Sequence, residues 1–281
     1  MKQLVYILVV MVAITGSPVV AQEKNVDLFT VPLSNPSAPG KLVVDQISGS
    51  INVVAYEGKE VVVKATIGKK DHCNGCHKDK NKNKDKDKAK SGMKKISGSS
   101  VKISAEEKNN VVEINNELFN RTTDLFIKVP KNFSLKLSTV NNGDISVSGV
   151  NGDMEVSYVY GEITLKDVSG SASLDTTNGD VEVNFTQIKQ GADMAFSTFN
   201  GDVNVTFPSS LKANIKAKSD MGDVYTDFDM AVAKNEPQVD RDTSSGSYKV
   251  KIEQWVKGSI NGGGPEMLFK TFNGDVIISS K

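Results

Sequence analysis

From Asn142 to Val183 short polar turns alternate with runs in which every second residue is apolar. The units read Asn142-Gly143-Asp144-Ile145-Ser146-Val147, Asn151-Gly152-Asp153-Met154-Glu155-Val156, Tyr160-Gly161-Glu162-Ile163-Thr164-Leu165, Ser169-Gly170-Ser171-Ala172-Ser173-Leu174 and Asn178-Gly179-Asp180-Val181-Glu182-Val183. A period of two places alternate side chains on opposite faces of a strand, and Asn-Gly accepts a positive φ at little steric cost. The glycines Gly143, Gly152, Gly161, Gly170 and Gly179 fall nine residues apart, further copies stand at Gly201, Gly222 and Gly274, and a fainter set at Gly49, Gly58 and Gly68. Val, Ile and Thr dominate the alternating sites, and no helical period persists beyond the N-terminal segment. The pattern predicts an all-β protein.

Two architectures use such turn-and-strand units. Asn-Gly between alternating runs is a hairpin signal, which allows an antiparallel β-meander or sandwich. The units at Gly143, Gly161, Gly179, Gly201, Gly222 and Gly274, however, share an acidic residue followed by a branched one, and the first five recur at 18, 18, 22 and 21 residues. That is the length of one coil, so the favoured reading is a single-stranded, β-helix-like solenoid of stacked Asn-Gly-Asp repeats. In it Ile145, Ile163, Val181, Val203, Val224 and Val276 form one interior ladder, and Val147, Leu165, Val183, Val205 and Ile278 a second. Asn178, Asn200 and Asn273 share a corner where amides bond along the stack, with the neighbouring aspartates pointing to solvent. The hexapeptide Thr-Phe-Asn-Gly-Asp-Val, present at Thr198 to Val203 and again at Thr271 to Val276, is then one rung of the repeat.

The N-terminus changes the picture by giving an address. Lys2, an apolar run from Leu4 to Ile14, and Val19-Val20-Ala21 before Gln22 read as a signal peptide over 1–21. No later segment is apolar enough to cross a bilayer as a helix, so the expected location is the periplasm, the cell surface or the medium. Residues 22–67 form N-terminal β units, 68–98 a Lys/Asp-rich low-complexity insert, and 99–281 the repeat region of the same domain, with a polar loop from Ala231 to Gly246. The formal charge is zero, but Lys69 to Lys95 holds 11 Lys against 4 Asp, which leaves the rest with a deficit of seven. With only Arg121 and Arg241 as arginines, nucleic acid is not an expected partner. The final strand reaches almost to Lys281, and an open edge there would allow self-association through the end of the solenoid.

Candidate chemistry concentrates in the insert, in His72-Cys73-Asn74-Gly75-Cys76-His77. Cys73-x-x-Cys76-His77 fits the c-type haem attachment pattern, yet the solvated lysine run after it cannot supply an apolar pocket. His72, Cys73, Cys76 and His77 also form a donor set for zinc or copper, or the cysteines close a short disulfide. The turn carboxylates invite calcium, but each corner has one glycine rather than the paired glycine turns of a calcium β-roll. Outside the insert there is no His or Cys, so no Ser-His or Cys-His pair can form there. Paired carboxylates of a carbohydrate-active β-helix enzyme stay an alternative in which no pair stands out, and Tyr158, Tyr160, Phe199, Trp255 and Phe272 are candidates for a sugar-binding face or for the core.

With its signal peptide, Val129-Pro130 followed by Ser134 to Leu137 and Thr139 to Val147, and the recurring Thr-x-Asn-Gly-Asp-Val, the chain resembles the adhesin family of bacterial secreted β-solenoid proteins of the head-domain type. The resemblance spans roughly Lys41 to Lys281, interrupted by the insert. It implies a stack of β-coils at the cell envelope that engages an envelope or extracellular ligand, a polysaccharide or a protein, and it brings no catalytic residues and no cofactor. The expectation is a non-enzymatic exported adhesin or scaffold; a metal- or haem-binding envelope protein built on Cys73, Cys76 and His77 is the alternative.

Overall fold

The structure is a computed structural model that describes residues 26–68, 103–116, 121–233, 238–242, 247–251 and 255–281. Every regular element among them is a strand, and 20 of the strands belong to one continuous hydrogen-bonded sheet. That sheet is wound into two facing columns of parallel strands. In the first column the order is β6 (Val111–Asn116), β2 (Gly40–Asp45), β8 (Phe133–Thr139), β10 (Asn151–Tyr160), the second half of β11 (Ile163–Asn178), β13 (Met194–Ser197), β21 (Glu266–Thr271) and β15 (Ala213–Ser219). In the second it is β7 (Thr123–Pro130), β3 (Ile51–Tyr56), β9 (Ile145–Ser148), the first half of β11, β12 (Val181–Ile188), β14 (Val203–Phe207), β22 (Val276–Ser280) and β16 (Val224–Thr226).

The chain passes from the first column to the second at glycine turns and returns at the opposite corner, so each pair of strands makes one coil. Ile163 stacks on Ile145 and Val181 on Ile163, steps of 18 residues, and Val203 stacks on Val181, a step of 22. β11 serves both columns because it bends at Asp167, a residue at φ 52 flanked by register shifts. Parallel pairing through the centre sets aside the antiparallel meander.

Stacking order departs from sequence order at both ends. The coil of β2 and β3 lies between those of β6/β7 and β8/β9, and the C-terminal coil of β21 and β22 lies between those of β13/β14 and β15/β16. The last strand is therefore paired on both edges, which corrects the expectation of an open C-terminal edge. The ladder of branched residues is correspondingly Ile51, Ile145, Ile163, Val181, Val203, Val276 and then Val224.

Antiparallel strands close most of the stack ends. β4 (Glu60–Ile67) pairs with β7 and β1 (Val26–Pro32) with β4, while β5 (Ile103–Lys108) pairs with β6 through a turn at Asn109 and Asn110. At the far end β20 (Val256–Ile260) lies on β15 and β17 (Met230–Ala233) on β20, so the expected polar loop from Ala231 is partly strand. Residues Gln238–Asp242 and Ser247–Lys251 form β18 and β19, a separate hairpin.

The core is the space between the columns. Inward residues such as Leu135, Leu137, Ile163, Leu165, Val181, Val183, Val203 and Val205 are fully buried in one continuous cluster. Each such burial contributes about 1.5 to 3 kcal/mol before ordering entropy is subtracted. Phe185 stacks on Phe207 at 5.2 Å in one column and Phe196 on Phe269 at 5.1 Å in the other, with edge contacts of 6.3 Å between the pairs. These rings lock the inserted C-terminal coil onto its neighbour.

Candidate interaction surfaces

The corner that carries Asn-Gly-Asp is built from backbone contacts too close for any side chain. A Cβ on Gly201, at φ +147, would stand 2.3 Å from the Gly179 carbonyl oxygen, and one on Gly274 would stand 2.1 Å from that of Gly201. The same contact repeats for Gly161 on Gly143, Gly179 on Gly161 and Gly222 on Gly274, so one glycine column runs through six of the repeat turns. Gly152 and Gly170 occupy the opposite corner, where a Cβ on Gly170 would meet the Gly152 carbonyl at 2.0 Å.

Side chains then tie each coil to the next. Thr198 Oγ1 donates to the Gly179 carbonyl at 2.9 Å and Thr271 Oγ1 to the Gly201 carbonyl at 2.9 Å. Tyr158 does the same for Gly143, Thr176 for Gly161 and Ser219 for Gly274. A hydroxyl three residues before each glycine thus binds the glycine of the layer below. Asn200 Nδ2 donates to Asn178 Oδ1 at 2.8 Å, which makes the expected amide contact along the stack. The aspartates do more than face water: Asp180 Oδ1 accepts from the Asp202 N–H at 2.8 Å, Asp202 Oδ1 from Asp275 N–H at 2.8 Å, and Asp275 Oδ1 from Asp223 N–H at 2.9 Å. The carboxylates of this column, exposed at Asp180 and Asp223 and half-buried at Asp202 and Asp275, are therefore bonding elements of the stack, with like charges held one strand spacing apart, about 4.8 Å.

Sequence reading missed the hydroxyl ladder, although its signal, Thr, Ser or Tyr three residues before a repeat glycine, was present. The two copies of Thr-Phe-Asn-Gly-Asp-Val prove to be neighbours: Val203 pairs with Val276, Asn200 bridges to Asn273, and Phe199 lies flat on Phe272 at 4.8 Å and 2°. That ring pair is exposed, as are Val140 and Ile47 on the same corner and Tyr160 beside it, so an apolar stripe borders the acidic ladder. Of the aromatic residues proposed for a sugar face, Tyr158 is buried, with its hydroxyl pKa pushed up by burial and then by the Asp144 charge.

The opposite corner holds a shallow groove of about 370 Å³ that includes Gly152, Asp153, Gly170, Gln187 and Lys189. Lys189 Nζ contacts Asp153 Oδ2 at 2.8 Å and Ser171 Oγ donates to Asp153 Oδ1 at 2.6 Å. These bonds, the lysine's foremost, hold the Asp153 carboxyl below its ordinary pKa. The ion pair spans two layers of the stack, so it too reads as a brace.

His72, Cys73, Cys76 and His77 lie outside the described residues, as does the segment 1–21. Among the described residues no cluster of three His, Cys, Asp or Glu is placed to hold a metal ion.

Residues 152–261 match the Toastrack family, DUF4097. The chain is similar in structure to a candidate cell adhesion protein from Clostridium sporogenes ATCC 15579, at 16% identity and a TM-score of 0.43, over 92% of this chain and 99% of that one. It is similar also to a candidate adhesin from Bacteroides fragilis NCTC 9343, at 10% identity and a TM-score of 0.39, over 92% of this chain and 98% of that one. No curated protein matches the chain.

Proposed function

We propose that this chain, whose residues 152–261 match the Toastrack family, is an exported, non-enzymatic adhesin-like scaffold of the cell envelope. The observation that carries the reading is the bonding of its repeated polar residues. The Thr, Asn and Asp side chains of successive turns join one coil to the next, so the polar groups most repeated in the chain build a rigid rod rather than a reaction centre. Such a rod presents two broad, hydrogen-bonded strand faces and an exposed aromatic stripe at Phe199 and Phe272. Fixed, flat and periodic surfaces suit multivalent attachment, in which many weak contacts add without ordering a loop. The apolar run from Leu4 to Ile14 supports export.

The test has two arms. Fractionation of producing cells should place a chain shortened by its first 21 residues in the envelope or medium. Beads coated with that mature chain should then be retained on isolated cell envelopes or extracellular polymer, without release of soluble fragments. Full-length protein in the cytoplasm, or steady product release with a bell-shaped pH profile, would overturn the reading.

A further inference from the structure

The outward face of the first column changes character at its closing end. Lys216 and Lys218 on β15, Lys257 on β20 and Lys270 on β21 alternate with the inward Ile215, Ala217, Met267 and Phe269. Register sets them in opposed pairs: Lys216 faces Lys257 across the antiparallel junction, and Lys218 aligns with Lys270 across the parallel one. With strands about 4.8 Å apart and about 6.8 Å per two residues, all four positions fall within about 12 Å. Like charges directly opposite one another destabilise a sheet, so this grouping has a cost that a bound anion would offset. Among the described residues the ion pair touching the group is Lys218 with Asp220, at 2.7 Å, and Glu266 stands at its margin.

Trp255 completes the patch. It directly precedes Val256, which pairs with Ala217, so its ring lies beside Lys218; Lys216 Nζ is 4.9 Å and Lys218 Nζ 6.0 Å from the ring centroid. Alongside runs a shallow groove of about 380 Å³ whose lining includes Asn214, Lys216, Lys257, Ser259 and Glu266. An indole plane, four ammonium groups and nearby amide and hydroxyl groups are the chemistry that recognises a charged sugar chain: ring stacking, carboxylate pairing and hydrogen bonds to hydroxyls. Lysines act as separate point charges and suit carboxylates spaced along a polymer better than one bidentate anion.

We propose that this face is a binding site for an anionic polysaccharide, with a sugar ring against Trp255 and its carboxylates held by Lys216, Lys218, Lys257 and Lys270. The assignment rests on the adhesin reading and names the class of its ligand. A membrane surface fits less well, because the patch lies on a flat sheet rather than on protruding apolar loops.

The chain holds one tryptophan, so its fluorescence reports on this patch directly. The mature chain is titrated at low salt with polygalacturonate, with neutral dextran, and with phosphatidylglycerol vesicles. A saturable change with polygalacturonate and none with dextran is expected, with half-saturation raised about tenfold or more in Lys216→Gln/Lys257→Gln and in Lys218→Gln/Lys270→Gln. Each double variant relieves a facing like-charge pair but also gives up a contact, Lys216 over Trp255 in one and the Lys218–Asp220 ion pair in the other. Melting temperatures are therefore measured alongside, and binding is compared at a temperature where every variant is folded. No fluorescence change, a response undiminished in both variants, or an equal response to the vesicles would overturn the site. Retention of coated beads on envelopes alongside a silent titration would remove this site alone, whereas loss of both would remove the adhesin reading.

Discussion

Replacing Gly201 by alanine tests the central contact of the stack. The residue sits at φ +147, where only glycine is at ease, and strain there costs about 1 to 3 kcal/mol. The added Cβ would also lie 2.3 Å from the Gly179 carbonyl oxygen, so the two coils must separate by about 1 Å to reach an ordinary contact. The bonds that cross that gap include Gly179 N–H to Asn200 O at 2.9 Å, Val181 N–H to Asp202 O at 2.9 Å, and Thr198 Oγ1 to Gly179 O at 2.9 Å, and these three are taken as lost. At about 1 kcal/mol each they bring the expected loss to about 4 to 6 kcal/mol. For a chain of this size that is a fall in melting temperature on the order of 10 to 20 °C. Gly191→Ala is the control, because Gly191 also has positive φ (+74) but nothing lies within 4 Å of its added Cβ. It should cost only about 1 to 2 kcal/mol. Thermal unfolding followed by far-ultraviolet circular dichroism gives both values, and equal melting temperatures for the two variants would refute the close-contact argument.

Other outcomes follow from the same bonds. Thr198→Val should cost about 1 to 2 kcal/mol in urea unfolding, because the half-buried Gly179 carbonyl loses its donor, while Thr198→Ser should recover most of it; equal stabilities for the two would count against the hydroxyl ladder. The Asp153 carboxyl is depressed in the folded chain, mainly by Lys189, so it adds stability above its unfolded pKa of about 3.9 and loses it as pH falls through the folded value. Melting temperatures of wild type and Asp153→Asn should therefore differ modestly at neutral pH and converge as pH falls through the folded value, and a gap that is constant with pH would contradict this. Deleting residues 69–95 should preserve the β spectrum and cooperative melting, since β4 and β5 are held by β7 and β6 rather than by the segment joining them; collapse of the truncated chain would make the insert integral.

Much of the corner was legible because it is local chemistry repeated. Glycine, asparagine and the alternating Val and Ile announce a turn and a strand at each unit, and their 18-residue step reports the circumference of a coil. The role of Asp202 was less visible, since an acid after Asn-Gly looks like a solvated turn residue until the next coil brings the Asp275 N–H to it. The lysine patch was hidden for a related reason. Lys216, Lys257 and Lys270 are far apart in the chain, and only the antiparallel return of β20 and the insertion of β21 bring them together.

The chain's pattern by itself determined an all-β body, the length of a coil and the side chains that face inward, because period-two alternation and glycine turns act over a few residues. Tertiary structure alone decided which coil lies on which. Residues 213–226 and 266–280 carry the same turn signal and either would fit beside β13 and β14 by register. The C-terminal coil takes that place with Phe269 on Phe196, Phe272 on Phe199 and Val276 on Val203, whereas the competing coil would offer Ala217 and Asp220 at the ring positions. Matching rings across a long loop recover more burial and dispersion than sequential stacking would, while the entropy of closing the loop grows only slowly with its length.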